Sequence, residues 1–534
     1  MSTTLGESDV NVKVKARYGA ASFASRDEPR VAISFLLPPL PNLLLHLLTL
    51  KDLSKRLEED AARSVELRTR ATDQANIHTC LLAPVRRLPV ETLTQIFEQA
   101  VPVDWRHHSI GTKTLNFAQV CYRWRMVALG TAKLWTHINV DAKCPTHGWK
   151  DAALAFLQRS YPAPLAISFD LFTRVGWYKT FEDVYLHDEF WSDQVWSAMC
   201  AQAGRWKYVA FKHMPPRALH QRQPPLTLSV LERLAITSHE TDGIALGFFE
   251  GAHNVQRLSI DYHHMPTPLV LPTAWKLTDL TIRCGEGALG NVRASLGPCL
   301  QAIAACSPTL EYCHITAIGF NARHCGTEKP TAYPALKELI LVGAAHFLTL
   351  ITAPSLVGVH LDTTSVPQAN SWNDLPAFED MVVRSSGCPN LRVLTLTNVQ
   401  QSVHNLVRCL RRLPSLTSLS ITDNEGLEYP GAHALVQEEL VRALTRTKRS
   451  KESLLLLPSL KDLSLFYHRS LYEEEDEDEL QYYDPDKYMR RAMNRMEGSR
   501  SRRIVGKGLV LEALEHIETD CRDFWDGELE KLED

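Results

Sequence analysis

Two groups of residues have types and spacing that could support chemistry. The first is the hexapeptide Gly285 to Gly290, which fits GxGxxG and follows a predicted strand over residues 277–284. In a dinucleotide site such glycines let backbone N–H groups approach a pyrophosphate at a helix N-terminus. Here Gly297-Pro298 interrupts any following helix after about two turns, so we interpret these glycines as the tip of a loop.

The second group is a run of candidate metal ligands, namely Cys299, Cys306, Cys313, His314, His324 and Cys325. Zinc sites favour ligand pairs separated by about two to four residues, whereas these three leading cysteines are seven apart. Cys313 also falls on a core position of the repeat described below. We therefore predict buried thiols and no metal site.

Catalytic signatures are missing from the rest of the sequence. It contains no GxSxG, no HExxH, no P-loop and no paired-carboxylate pattern. The single basic-aromatic cluster, around Trp124, places that ring on an apolar helix face and not on a nucleic-acid surface. We expect a protein that is not an enzyme, with no cofactor and no nucleic-acid ligand.

Composition limits the class of protein further. The 534 residues are 45% hydrophobic, enough for a large core, and 58 basic against 62 acidic residues give a net charge of −4. The 12 cysteines contain no CxxC pair, which favours a reducing compartment, the cytoplasm or nucleus. Residues 31–50 carry no charge, but Pro38, Pro39 and Pro41 break any spanning helix, so we expect no membrane association.

The N-terminal part of the chain changes character near residue 42. Residues 1–41 are predicted to be disordered and Pro-rich, and residues 42–80 to form one long helix. Leu43, Leu47, Leu50 and Leu57 give that helix an apolar face. The pattern leaves two interpretations open: a short coiled coil, or packing onto the next domain.

Residues 84–140 are predicted to form a small three-helix domain. Pro89 and Glu91 suit the first turn of a helix, and Leu93, Ile96 and Phe97 give its apolar stripe. A second helix is predicted from Leu115 to Leu129 and includes Val120, Cys121 and Trp124. Leu134-Trp135 closes the unit.

A repeat occupies residues 150–470. The unit apolar-x-x-apolar-x-apolar occurs ten times, at intervals of 20 to 44 residues. Its copies begin at Trp206, Leu231, Val255, Leu277, Leu310, Leu336, Leu356, Leu391, Leu416 and Leu460. A single unit cannot bury its leucines alone, so the repeats predict an α/β fold: an irregular leucine-rich-repeat solenoid with a parallel sheet.

Alternation within each predicted strand separates core from surface. Leu394 and Leu396 turn inward together, which leaves the residues between them to face outward on a concave surface. We predict that small polar residues there bind a protein target: Thr395, Thr397, Ser418, Ser420 and Ser464.

The C-terminal part is strongly charged. An acidic run, Glu473 to Glu479, precedes an arginine-rich stretch, and residues 471–507 are predicted to be disordered. Residues 508–534 carry Val510, Leu514 and Ile517 at helical spacing. They are predicted to form an amphipathic helix that caps the solenoid.

One segment resembles a known family. Pro84 to Phe97, then Val120-Cys121-x-x-Trp124, then Leu134-Trp135, closely resemble the F-box, in the style of fungal F-box proteins with a leucine-rich tail. The departure from the family is the insert of roughly a dozen residues between the first two helices, which is longer than the usual loop.

The resemblance implies a function without catalysis in this chain. An F-box binds a Skp-type adaptor and through it a cullin–RING ubiquitin ligase, while the solenoid binds an unknown target. The alternatives are a scaffold that acts outside any ligase and a repeat module that the three helices merely cap. The residues that the resemblance implies for adaptor binding are Pro84, Leu88, Pro89, Glu91, Leu93, Ile96, Phe97, Val120, Cys121, Trp124 and Trp135.

Overall fold

The structure is a computed structural model that describes most of the chain from residue 40 onward. The described residues are 40–82, 84–101, 116–141, 148–170, 192–212, 227–238, 246–262, 268–284, 296–317, 329–363, 374–399, 401–424, 435–447, 450–468, 485–506 and 509–519. The chain divides into two compact units, Met1–Leu88 and Pro89–Asp534. The predictions for residues 1–39, the glycines 285–290, the acidic run 473–479 and residues 520–534 lie outside the described residues.

The first unit contains one long helix, α1 (Leu40–Leu82), followed by a 3₁₀ helix at Pro84–Arg87. The helix corresponds to the one predicted over 42–80. Ion pairs one turn apart stabilise it, for example Arg56 with Asp52 at 2.7 Å. Three leucines of its predicted apolar face, Leu47, Leu50 and Leu57, are more than half exposed.

The second unit begins with the small helical domain. Its elements are α2 (Val90–Ala100), a 3₁₀ helix at Asn116–Gln119, α3 (Tyr122–Gly130) and a 3₁₀ helix at Ala132–Trp135. The second helix is therefore not continuous from Leu115 to Leu129 as predicted, because Val120 and Cys121 are not helical and separate the 3₁₀ helix from α3.

A parallel sheet of thirteen strands fills most of the second unit. Its strand order is β1-β2-β3-β4-β5-β6-β7-β9-β11-β12-β13-β14-β17, so that each strand pairs with its neighbours along the chain. Its strands are β1 (His137–Asp141), β2 (Leu165–Asp170), β3 (Trp206–Lys212), β4 (Arg233–Ser238), β5 (Arg257–Tyr262), β6 (Asp279–Cys284), β7 (Tyr312–Ala317), β9 (Glu338–Val342), β11 (Gly358–Asp362), β12 (Val393–Thr397), β13 (Ser418–Asn424), β14 (Asp462–His468) and β17 (His516–Thr519). Two small sheets lie outside it: β8 (Thr331–Ala332) with β10 (Ile351–Thr352), and β15 (Ile504–Gly506) with β16 (Leu509–Leu511).

The repeat pattern explains this sheet. Each of the ten predicted units supplies one strand, and the three apolar side chains of every unit are at most 5% exposed. Leu394, Leu419 and Leu463 occupy the same register position on β12, β13 and β14, so equivalent leucines stack from strand to strand. The predicted parallel solenoid is confirmed.

Helices and turns return the chain from each strand to the next. The helices are α4 (Trp149–Arg159), α5 (Asp193–Cys200), α6 (Gly297–Ala305), α7 (Asp374–Arg384), α8 (Val403–Leu410), α9 (Glu438–Leu444), α10 (Lys451–Leu455) and α11 (Pro485–Arg500). In α8 the Ser402 hydroxyl caps the N-terminus by accepting from Asn405 N at 3.3 Å, and Leu406 and Leu410 turn toward the sheet. One core joins these helix faces to the inner side of the sheet. The opposite side, which we call the outer face, carries the alternate strand residues.

Three boundaries differ from prediction. The sheet begins inside the segment assigned to the helical domain, because β1 starts at His137. Residues 485–500 within the segment predicted to be disordered form α11, which buries Ala492, Met493 and Met496 between its charged positions. The predicted helix over 508–534 is wrong where the chain is described, since β16 and β17 occupy residues 509–511 and 516–519.

The C-terminal segment is fixed by a fully buried arginine. Arg500, the last residue of α11, donates to the carbonyl oxygens of Leu444 at 2.7 Å, Leu456 at 2.9 Å and Leu457 at 3.1 Å. Leu444 ends α9 and the other two follow α10, so one guanidinium satisfies carbonyls that helix ends leave free. Burial and nearby Arg446 lower the pKa of Arg500 to about 9. This value is still above neutral pH, so the side chain is charged there.

Two features are absent from the described residues, a membrane-spanning helix and a cluster of metal ligands. None of the described helices combines the length and the apolar character that crossing a membrane requires. Within the same residues, no three His, Cys, Asp or Glu side chains converge as metal ligands.

Candidate functional site

Aromatic packing holds the helical domain together. Leu93 and Phe97 of α2 are buried, and the Phe97 ring stacks on Phe117 at 4.5 Å and meets Trp124 of α3 edge-on at 5.1 Å. Such ring pairs stabilise by about 0.5–1.5 kcal/mol beyond the area that they bury. The apolar stripe of α2 therefore fixes α2 against α3.

Local sequence sets where these helices begin. Pro89 precedes α2, its carbonyl accepts from Leu93 N at 3.1 Å, and Glu91 lies in the first turn, where a carboxylate favours the helix dipole. Cys121 is the N-cap of α3 and not an interior residue as predicted: its sulfur accepts from Trp124 N at 3.5 Å.

Trp135 connects the helical domain to the sheet. Its indole N–H donates to the Ala128 carbonyl of α3 at 2.8 Å, and its ring meets Phe156 of α4 edge-on at 4.9 Å. The guanidinium carbon of Arg159 lies 4.6 Å from the ring centre. Only Thr136 separates the last 3₁₀ helix from β1, so the junction contains no flexible linker.

The structure divides the predicted adaptor-binding residues by exposure. Leu93, Phe97 and Trp135 are at most 5% exposed, so they support the domain and do not contact a partner directly. The half-buried members are Leu88, Cys121 and Trp124, and the exposed members are Pro84, Pro89, Glu91, Ile96 and Val120.

Three exposed apolar residues of these helices were missed from sequence. Tyr122 and Met126 lie one turn apart on α3, 76% and 50% exposed, on the side away from the buried Val127 and Ala128. Val90 at the start of α2 is 49% exposed. The i, i+4 spacing of Tyr122 and Met126 was the available signal. The resemblance, however, named only Val120, Cys121 and Trp124 in this segment. Together with Ile96 and Val120, the residues Val90, Tyr122 and Met126 are the exposed apolar residues of this part of the domain, and we refer to this set as the apolar helix surface.

The predicted target-binding residues lie on the outer face and are half-buried. Thr395, Ser420 and Ser464 are register partners across β12, β13 and β14, so they form one row of short polar side chains. Ser418 begins β13, and Thr397 ends β12, where its hydroxyl lies 3.3 Å from the Nε2 atom of His360. This part of the outer face offers hydrogen-bonding groups and no charge cluster.

The described cysteines of the group that sequence singles out are core residues, whereas His324 and Cys325 lie outside the described residues. Cys299 and Cys313 are fully buried, and burial raises the pKa of Cys313 to about 12 and of Cys299 to about 11. The Tyr262 hydroxyl lies between the sulfurs of Cys284, at 2.8 Å, and Cys299, at 3.2 Å. Thiols held protonated in this way are poor nucleophiles and poor metal ligands.

Comparisons with known proteins agree with the helical domain. The F-box-like family model matches residues 85–141. Among solved structures, an internalin from Listeria monocytogenes is similar at 10% identity and a TM-score of 0.28, over 63% of this chain and 76% of that chain. The fold is assigned from the thirteen-stranded parallel sheet and not from this similarity. No curated protein matches the chain. The chain thus contains an F-box-like domain at residues 85–141, which leads directly into a leucine-rich-repeat-like solenoid.

Proposed function

We propose that this chain is the substrate-recognition subunit of a cullin–RING ubiquitin ligase of the SCF type. In this proposal the F-box-like domain binds a Skp-type adaptor and the solenoid binds the protein to be ubiquitylated. The partner subunits carry the catalysis, and this chain acts as a non-enzymatic receptor in the cytoplasm or nucleus.

The apolar helix surface carries the proposal. Tyr122, Met126 and Val120 are each at least half exposed, while the opposite side of α3 packs into the domain. Exposed apolar side chains grouped on a small domain are typical of a protein-binding surface. Their position inside the F-box-like match supports the adaptor as the partner.

Capture of the adaptor tests this proposal. Tyr122→Asp should weaken binding of a Skp-type adaptor by about 2 kcal/mol, measured by calorimetry, because it places a charge in an apolar contact. Val270→Asp is the matched control, since Val270 is equally exposed, at 76%, on the solenoid. The double change of Leu88 and Pro89 to Ala should weaken adaptor binding in the same way.

The result also separates the alternatives. Co-purification with both adaptor and cullin supports the ligase receptor, whereas adaptor without cullin supports a scaffold outside the ligase. Undiminished adaptor binding by Tyr122→Asp and by the Leu88/Pro89 variant, both folded by circular dichroism, contradicts the proposed surface. Absence of adaptor binding by the unmodified chain contradicts the proposal altogether.

A further inference from the structure

Among the described strand residues, positive charge on the outer face is confined to four consecutive strands. Lys212, Arg233, Arg257 and Arg283 lie on β3, β4, β5 and β6, and all four are exposed. We call this set the cationic panel. On the described outer face from β7 to β17 the charged residues other than histidine are acidic: Glu338, Asp362, Asp462 and Glu518.

The panel contains a pair of adjacent like charges. Arg233 and Arg257 are register partners on β4 and β5, which places their Cα atoms about 4.8 Å apart. Like charges directly opposite on neighbouring strands destabilise a sheet. An anion bound between the two guanidinium groups would relieve that repulsion.

The two arginines differ in their partners. The Arg257 Nε atom lies 3.5 Å from the Asp279 carboxylate on β6. The Arg233 side chain has no hydrogen bond or ion pair with any residue that the structure describes. Among the described residues, this end of the panel therefore has one positive charge without an acidic partner.

The other end of the panel is closer to neutral. Lys212 lies 3.5 Å from the Asp170 carboxylate, and Asp261 occupies the same row as Lys212 and Arg283. Burial raises the pKa of Asp261, while the charges of Arg283 and Lys212 act in the opposite direction. The excess charge is thus concentrated at Arg233 and Arg257.

Small side chains separate the two charged rows. Ala210, Ala235 and Ser259 are register partners across β3, β4 and β5. The charged rows on either side are four residues apart along each strand, or about 13 Å. An extended peptide can therefore lie close to the sheet between them.

We propose that the outer face of β3 to β6 binds an acidic peptide segment of the target protein, with one carboxylate held between Arg233 and Arg257. The planar guanidinium matches a carboxylate through two parallel hydrogen bonds, and one uncompensated cation calls for one anion. The acidic half of the face, beginning at Glu338, repels a longer polyanion and limits the acidic segment to the width of the panel. The role of this segment as part of a ubiquitylation target rests on the proposed function.

Peptide binding to the full chain tests the panel. The probes are a fluorescein-labelled twelve-residue peptide of Glu, Gly and Ser, and its counterpart with every Glu replaced by Gln. By fluorescence anisotropy the Glu peptide should bind more tightly, and the difference should shrink as salt rises. Arg233→Gln and Arg257→Gln should each weaken binding of the Glu peptide about threefold, and about tenfold together.

Arg502→Gln is the matched control. Arg502 is exposed, and its replacement removes the same charge from another surface. Equal affinity for the Glu and Gln peptides, or an equal loss with Arg502→Gln, overturns the proposal. A phosphoserine version that binds more than tenfold tighter through Arg233 overturns the carboxylate assignment in favour of a phosphorylated segment.

Adaptor capture is measured on the same variants. The panel variants should retain it, because Arg233 and Arg257 lie outside the F-box-like domain. If the unmodified chain binds the Glu peptide but no adaptor, the ligase proposal fails and the acidic-peptide site stands. If it binds adaptor but does not distinguish the two peptides, the reverse holds.

Discussion

Replacement of the buried Arg500 tests how the C-terminal part of the solenoid is held. Arg500→Met keeps a long side chain of similar shape but removes every donor to Leu444, Leu456 and Leu457. Arg500→Lys keeps the charge, yet a single ammonium nitrogen cannot reproduce the spread of the guanidinium fork.

Two opposing free-energy terms decide the magnitude. Each buried carbonyl left without a donor costs about 1–3 kcal/mol, so three of them give about 3–9 kcal/mol. Against this, Met removes a buried cation whose desolvation costs several kcal/mol. Because the guanidinium is paired, within the described part of the chain, only with neutral carbonyls, its removal strands no described opposite charge. We expect a net loss of about 2–4 kcal/mol for Arg500→Met and a smaller loss for Arg500→Lys.

Urea unfolding followed by circular dichroism, together with hydrogen exchange of the α11 amides, measures the effect. Repeat proteins can open from one end, so exchange in α11 should rise before exchange in β5 or β6. Arg495→Met on the exposed side of the same helix is the control and should change stability by less than about 0.5 kcal/mol. A variant Arg500→Met that is as stable as the parent would show that desolvation outweighs the three hydrogen bonds, and would refute this reasoning.

Three further predictions concern other buried groups. Trp135→Ala should destabilise by about 3–5 kcal/mol in urea and Trp135→Phe by less; equal losses would contradict the junction role. Burial alone would raise the pKa of Glu379, but hydrogen bonds from Arg412 and Arg408 lower it. The stability advantage of the parent over Glu379→Gln should therefore hold above pH 4.5 and disappear as pH falls below it; a constant difference would argue against the ion pairs. Cys313 should resist iodoacetamide at pH 8 until urea unfolds the chain, whereas half-buried Cys121 should react first among the described cysteines, as followed by mass mapping.

The repeat was predictable because its pattern and its packing coincide. Leucines such as Leu394 and Leu396 fit a strand by spacing and also stack on identical neighbours, so local and global preferences agree. β2 was missed even though Leu165 and Ile167 alternate correctly, because it lies before the first recognised unit and lacks its leading apolar residue.

Errors at the C-terminus have a different origin. The spacing of Val510, Leu514 and Ile517 suits a helix, but Ile517 instead joins β17, where β14 offers unpaired backbone groups along its edge. Sequence spacing cannot reveal that free edge. The many arginines of α11 favour a prediction of disorder for this segment. One of them, Arg500, is nevertheless buried, because it donates to carbonyl oxygens of residues 43 to 56 positions away.

For the functional surface, sequence and structure answer different questions. The motif Leu88-Pro89 through Phe97 identified the domain, but a motif mixes residues that build a fold with residues that contact a partner. Phe97 and Trp135 are buried and build the fold, whereas Val120 is exposed and belongs to the surface proposed to bind the adaptor, a distinction that only burial makes. The paired arginines Arg233 and Arg257 lie 24 residues apart and become neighbours only through strand register.

Because only Thr136 separates Trp135 from β1, the sheet is joined directly to the F-box-like domain, and each strand lies at a set distance from β1. Each strand adds about 4.8 Å, so the step from β1 to β17 spans about 58 Å measured from strand to strand. A partner bound at β4 and one bound at β13 would lie about 34 Å apart along the sheet. Under the proposed function, the number of strands between the helices and the bound segment would set which lysines of a target reach the active site of the ligase. Adding one repeat before β3 would then move the cationic panel by about 4.8 Å.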